Sequence, residues 1–193
     1  MKSHFYAMLS RMKNIYRWGL MRNTRNENLS EHSLEVAVIA HALAVIKNRR
    51  LGGSVDANAI AAAALFHDTS EIITGDMPTP VKYYNADIKS AYKDIEGVAR
   101  EKLISLLPED LRDDYKKLYS PDTQSEIIIK AADKISALIK CIEETVSGNR
   151  EFEEAKKSTL KAIKEMRLPE AEIFLDEFID SFYLPIDDMK QRD

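Results

Sequence analysis

The chain has 193 residues, of which 45% are hydrophobic and 31% charged, with a formal net charge of −4. That size predicts one domain over residues 1–193 with room for a sizeable core, and the acidic balance argues against a dedicated nucleic-acid binder, for which a basic excess is expected. The apolar run 37–46 stops at Lys47, short of a membrane span, the first residues lack a secretory apolar core, and the one cysteine, Cys141, reads as a small core residue in a reducing cytoplasm.

Strand signals are almost absent: Ile127-Ile128-Ile129 is β-branched but flows into helix-forming residues. Residues 3–15 place Phe5, Met8, Leu9, Met12 and Ile15 at helical spacing. Residues 19–29 read as a loop. Ser30 is expected to cap a helix reaching about residue 50. From 34 to 46 this helix is apolar on nearly every side, which predicts a central helix contacted all round. Gly52-Gly53-Ser54 ends it. Asp56 is expected to cap the next helix, which carries His67-Asp68 and runs to the neighbourhood of Gly75. Pro78 and Pro80 cannot continue it, since proline lacks the donor and restricts its predecessor. Further helices are expected near 85–107, 109–119, 122–147, 150–167 and 169–182, with turns at Gly148-Asn149 and Leu168-Pro169. The predicted fold is all-α, a bundle of roughly seven or eight helices.

Histidine is scarce: His4, His32, His41 and His67. His4 reads as exposed near the terminus. His32 and His41 share a helix but, nine residues apart, point to roughly opposite faces. His41 lies among Ala40, Ala42 and Leu43 and reads as a core histidine. His67 and Asp68 follow Ala61-Ala62-Ala63-Ala64-Leu65-Phe66, a run that reads as buried. Burying an imidazole beside a carboxylate is costly unless both find partners, and a divalent metal satisfies both. Glu71, four residues after His67 and three after Asp68, projects to the same side. An unattached carboxylate there suits proton transfer in hydrolysis. Asp133, between Lys130 and Lys134, reads by pattern as a solvated helix charge.

His32, then His67-Asp68, then Asp133 in a late helix resembles the H…HD…D arrangement of the HD-domain metal-dependent phosphohydrolases. Further blocks extend the likeness: Arg17-Trp18-Gly19-Leu20-Met21-Arg22-Asn23, Ser30-Glu31-His32-Ser33, His67-Asp68-Thr69-Ser70-Glu71, Thr74-Gly75-Asp76-Met77-Pro78-Thr79-Pro80-Val81-Lys82 and Lys130-Ala131-Ala132-Asp133. In this order they closely resemble the bacterial 5′-deoxynucleotidases of that superfamily, over essentially the whole chain apart from a variable stretch near 113–126.

The resemblance implies a single HD domain whose metal ligands are His32, His67, Asp68 and Asp133. Two imidazoles and two carboxylates suit one divalent transition ion per chain, of the cobalt, manganese or zinc class. It implies catalytic roles for Glu71 and Arg17, and a substrate pocket of Arg17, Trp18, Asp76, Thr79, Pro80, Val81 and Lys82. Arg17 can grip a phosphate with paired donors. Trp18 can wall off a sugar lacking a 2′-hydroxyl, and Pro78 and Pro80 stiffen the loop before substrate arrives. The implied substrates are deoxyribonucleoside 5′-monophosphates, with neither nucleic acid nor membrane as partner, and the implied assembly is a homodimer. Phe174, Phe178, Ile179, Phe182 and Tyr183 read equally as core or as dimer face. A hydrolase of guanosine tetraphosphate would carry a carboxylate after Glu71, where this chain has Ile72, and a triphosphatase would want a more basic pocket. A catalytically silent adaptor would have lost a ligand, and all four are present.

Overall fold

The computed structural model describes residues 2–82 and 84–190. Helices α1 (Phe5–Leu9), α2 (Leu29–Arg50), α3 (Ala57–Phe66), α4 (Glu71–Thr74) and α5 (Thr79–Lys82) form the first half. Helices α6 (Ala86–Ser105), α7 (Glu109–Tyr119), α8 (Thr123–Val146), α9 (Glu153–Glu165) and α10 (Pro169–Phe178) form the second. Short 3-10 turns extend α1 over Ser10–Asn14, precede α9 at Arg150–Phe152 and follow α10 at Ile179–Tyr183. Among the described residues seven helices reach ten residues or more, which is the predicted all-α bundle; α1, α4 and α5 are short additions.

Short polar side chains start the long helices. Asp56 accepts from Ala59 N, as expected, and Asn85 and Asp122 do the same for α6 and α8. The cap of α2 is Asn28 rather than Ser30. Asn28 accepts from Ser30 N and Glu31 N while Glu31 reaches back to Asn28 N, a reciprocal capping box that satisfies orphan donors at the helix N-terminus. α3 stops at Phe66, well before Gly75. Two carbonyls of its last turn are taken by side chains: His67 Nδ1 donates to Ala64 O at 2.7 Å and Thr69 Oγ1 to Phe66 O at 2.9 Å. Side-chain bonds of this kind compete with the helical ladder. The chain turns through 67–70 and restarts as α4, so His67 and Asp68 lie at a helix break rather than inside a helix.

The main core lies where α2 packs on α3 and α8, with α9 against α8 and α10 against α2. Val36, Ile39, Ala40, Leu43 and Ala44 of α2 are buried, as are Ile128, Ile135, Ile139 and Ile142 of α8. The opposite face of α2 is uncovered. Leu34, Val38 and Val45 are 61%, 62% and 38% exposed, and His41 stands among them, exposed. The spacing 34, 38, 41, 45 runs along one helix face, so α2 is contacted on one side only and His41 is not a core histidine. By length and mean hydropathy (1.4) α2 passes as a membrane span, although 56% of that window is buried inside the protein; its apolar character is that of the core helix. Phe174 completes the core, with Ile179 and Phe182 packed against it, while Phe178 and Tyr183 are each 42% exposed. Cys141 is buried.

One isolated antiparallel bridge, Tyr16 with Asn28, closes the neck of the loop between α1 and α2. Arg17 N donates to Glu27 O and Leu29 N to Ile15 O, each at 3.0 Å. That neck brings Arg17 and Trp18 beside the start of α2.

Candidate active site

α2, the end of α3 and α8 deliver four polar side chains to one place. Donor atoms of His32, His67 and Asp68 lie within 4.8 Å of one another. Asp68 Oδ2 is 3.1 Å from His67 Nε2 and 3.7 Å from His32 Nε2. Asp133 Oδ1 joins from α8 at 3.1 Å from His32 Nε2. Asp133 therefore faces the cluster and is not the solvated charge its pattern suggests; Lys130 pairs instead with Glu126 at 2.6 Å.

The outer nitrogens settle the tautomers. His67 Nδ1 faces a carbonyl, Ala64 O, and must donate. Ser136 Oγ donates to Glu35 Oε2 at 2.6 Å, so it accepts from His32 Nδ1 at 3.0 Å. In the neutral imidazoles both protons then sit on Nδ1 and both Nε2 lone pairs face the carboxylates. Both Nε2 atoms are buried without a hydrogen-bond partner, as is Glu71 Oε2. Buried bare lone pairs aimed at two carboxylates fit a divalent cation in donor type and in orientation.

The electrostatics match. Burial opposes the charge on Asp68, but His67, His32 and Arg17 prevail and hold its carboxyl well below the ordinary range. Burial likewise opposes Asp133, and His32 prevails, holding it at about 2. Burial and the Arg17 charge keep His32 low, hence neutral. For His67 burial is outweighed by Asp68 and Asp133, and its pKa rises to about 9. Glu71, 3% exposed, is pushed up to about 9 by burial, then by Asp68 and Asp76. Of the four clustered side chains, His67 alone favours a second proton when no cation is bound, on the Nε2 that faces Asp68.

Arg17 Nη1 stands 3.5 Å from Asp68 Oδ2, which places a guanidinium beside the cluster. Its Nε donates to Glu27 Oε2 at 3.1 Å, and Trp18 Nε1 donates to the same oxygen at 3.0 Å. The Trp18 ring tilts against Phe152, 5.3 Å between centroids. Asp76 is raised by burial and partly offset by Arg17. Lys82 is tied to Glu96 at 3.1 Å and lies over the Tyr92 ring. Thr79, Pro80 and Val81 are exposed on α5. They form a helical turn rather than an extended loop, because Val81 N and Lys82 N both bond to Pro78 O and proline is tolerated in a first turn.

Residues 4–182 match the family model described as 5′-deoxynucleotidase YfbR-like. The chain belongs to this family. It is 49% identical over 195 residues to the 5′-deoxynucleotidase YfbR of Shigella flexneri, covering 98% of this chain and 97% of the relative. A crystal structure of an HD-domain phosphohydrolase from Listeria innocua superimposes with a TM-score of 0.81 at 27% identity, covering 93% and 88% of the two chains. A cyanophage S-2L HD phosphohydrolase, bound to dA and one catalytic zinc ion, shares the fold with a TM-score of 0.66 at 17% identity, covering 91% and 96%. The chain is a hydrolase with the all-α HD fold.

Glu27, Glu35, Ser136, Glu144 and Phe152 escape the sequence reading. Two of them carry a legible signal: Glu35 and Ser136 each stand three residues after an expected ligand, one turn along the same helix. The others act across the loop or across the fold.

Proposed function

We propose that this chain is a metal-dependent phosphomonoesterase that hydrolyses deoxyribonucleoside 5′-monophosphates to deoxyribonucleoside and phosphate. The whole chain, 1–193, works as one HD-type domain. The observation that carries the reading is the pair of bare, buried Nε2 atoms of His32 and His67 facing Asp68 and Asp133. These four residues would hold one divalent ion of the cobalt, manganese or zinc class. When bound, that ion supplies Lewis acidity at the phosphate and at water.

The remaining work falls to side chains. Arg17, anchored through Nε, keeps its Nη edge toward Asp68, where it orients the phosphate and neutralises its charge. Glu71, whose buried carboxyl takes up a proton readily, carries the proton exchanged between attacking water and departing 5′-oxygen. Trp18 stands against the sugar and leaves no room or partner for a 2′-hydroxyl. Asp76 and the turn Thr79-Pro80-Val81-Lys82 close the pocket.

Two copies form the working assembly. The exposed apolar row Leu34, Val38 and Val45 on α2 supports this, since such a row is best buried against a like surface. Sedimentation at several concentrations would return a monomer if that is wrong. The acidic net charge supports activity without nucleic acid or membrane, and the lone buried cysteine supports a cytoplasmic site.

The test is a substrate panel. The chelated protein is resupplied with single divalent ions, and phosphate and pyrophosphate are read separately. Deoxyribonucleoside monophosphates should release phosphate faster than ribonucleotides, and triphosphates should be poor. Pyrophosphate from triphosphates, with monophosphates ignored, would overturn the assignment.

A further inference from the structure

One carboxylate oxygen joins the two halves of the pocket. Glu27 Oε2 accepts from Arg17 Nε at 3.1 Å and from Trp18 Nε1 at 3.0 Å. Glu27 faces Arg17 across the closed neck of the loop, and its side chain is 12% exposed against 13% for Arg17. The geometry points to Glu27 as the positioning residue that couples the phosphate grip to the sugar wall, so that deoxyribose selectivity depends on a group outside the reacting atoms. The inference rests on the roles proposed above for Arg17 and Trp18.

Both residues need holding. Trp18 has φ +60, a left-handed backbone that a bulky residue adopts only when its surroundings impose it. Its carbonyl is fixed by Met21 N and Asn23 Nδ2, and its ring rests on Phe152. The indole N–H has Glu27 as its acceptor, and that bond sets the rotation of the ring about the strained backbone. Arg17 faces a different hazard. Its Nη1 is already 3.5 Å from Asp68 Oδ2. An arginine released from Glu27 would collapse onto the Asp68 carboxylate, occupying the place of both metal and phosphate. Glu27 draws the Nε edge away and leaves the Nη edge for substrate.

A second carboxylate makes the clamp rigid. Glu144, 1% exposed, accepts from Thr24 N, Thr24 Oγ1, Arg25 N and Asn149 Nδ2, and pairs with Lys140. Lys140 Nζ also donates to Arg25 O. The far arm of the loop is therefore pinned to α8 two residues before Glu27, which leaves Glu27 little freedom to follow a moving arginine.

Two substitutions separate the two bonds. Glu27→Gln keeps a carbonyl acceptor for the indole but removes the charge facing Arg17. Glu27→Ala removes both. The readouts are kcat and KM for a deoxyribonucleotide and its ribonucleotide, with Trp18→Ala as reference and the emission of Trp18, the sole tryptophan, as a direct report on the indole. Glu27→Ala should lower the deoxy-to-ribo ratio of kcat/KM about tenfold, and the Trp18 emission should shift. Glu27→Gln should keep most of that ratio while KM for both nucleotides rises. If Trp18→Ala lowers the ratio and Glu27→Ala does not, Glu27 has no positioning role. If Glu27→Ala does not fold, Glu27→Gln carries the test, and an unchanged KM overturns the proposal. If Trp18→Ala itself leaves the ratio intact, the sugar-wall reading fails first, and that failure is recognisable because emission and KM still respond at Glu27.

Discussion

His32 sits at 0% exposure on the central helix of the main core, whereas Trp18, fourteen residues earlier in the chain, stands in a loop with φ +60. The first is placed by packing: α2, α3 and α8 bury an apolar interface and bring His32, His67, Asp68 and Asp133 together as a by-product of the core. The second is placed by ion pairs and hydrogen bonds, through Glu27 and Glu144. Core packing is dense and resists deformation, which suits a cation site needing fixed ligands. A loop held by a few polar contacts can differ in detail without disturbing that core, which suits the sugar-selecting role proposed for Trp18.

The sharpest way to break this contrast is at the cluster itself. Asp68→Ala or Glu71→Ala should lower turnover by about three orders of magnitude or more while the helical spectrum is unchanged. Retained activity in the Asp68→Ala protein would place the chemistry elsewhere. Next comes the brace behind His32. Ser136→Ala removes the acceptor that fixes its tautomer, and metal affinity measured by calorimetry should weaken about 10- to 100-fold. Equal affinity would mean that packing alone orients the ring.

On the loop side effects should be smaller and of another kind. Trp18→Ala should narrow the deoxy-to-ribo preference about tenfold, with metal affinity untouched. An unchanged ratio would put the sugar filter elsewhere. The smallest expected effect is a pH response. His67 and Glu71, both at about 9 in the metal-free protein, lie above their ordinary values of 6.5 and 4.5. Each binds its proton more tightly folded than unfolded, so stability is lost as pH rises through these windows. The depressed carboxyls Asp68 and Asp133 act below about pH 4 and do not enter. The Tm of the chelated protein should therefore fall by a few degrees, on the order of 5 °C, between pH 6.5 and 9. Added divalent ion should raise Tm more at pH 9 than at pH 6.5, because it displaces protons. A metal-induced shift independent of pH would contradict the ligand set.

How much was legible in the sequence follows the same division. The helical bundle, the capping of α3 by Asp56 and the stop at Gly75 are local matters of spacing and side-chain chemistry, and the chain shows them plainly. The break after Phe66 was not legible, because it depends on His67 and Thr69 taking carbonyls from the helix before them. The exposed face of α2 was not legible either, since an apolar residue looks the same whether a neighbour covers it or not. Asp133 reads locally as a surface charge, and only the crossing of α8 with α2 turns it toward His32. Glu27 and Glu144 are unremarkable acidic residues until the loop closes and brings Arg17, Trp18 and Thr24 to them.

The proposed chemistry requires one cation held by His32, His67, Asp68 and Asp133. Crystals grown with excess manganese and measured for anomalous scattering test this directly. One strong peak per chain is expected, within coordination distance of both Nε2 atoms and of a carboxylate oxygen from each aspartate. A peak lying elsewhere, or none with the four side chains turned apart, would contradict it.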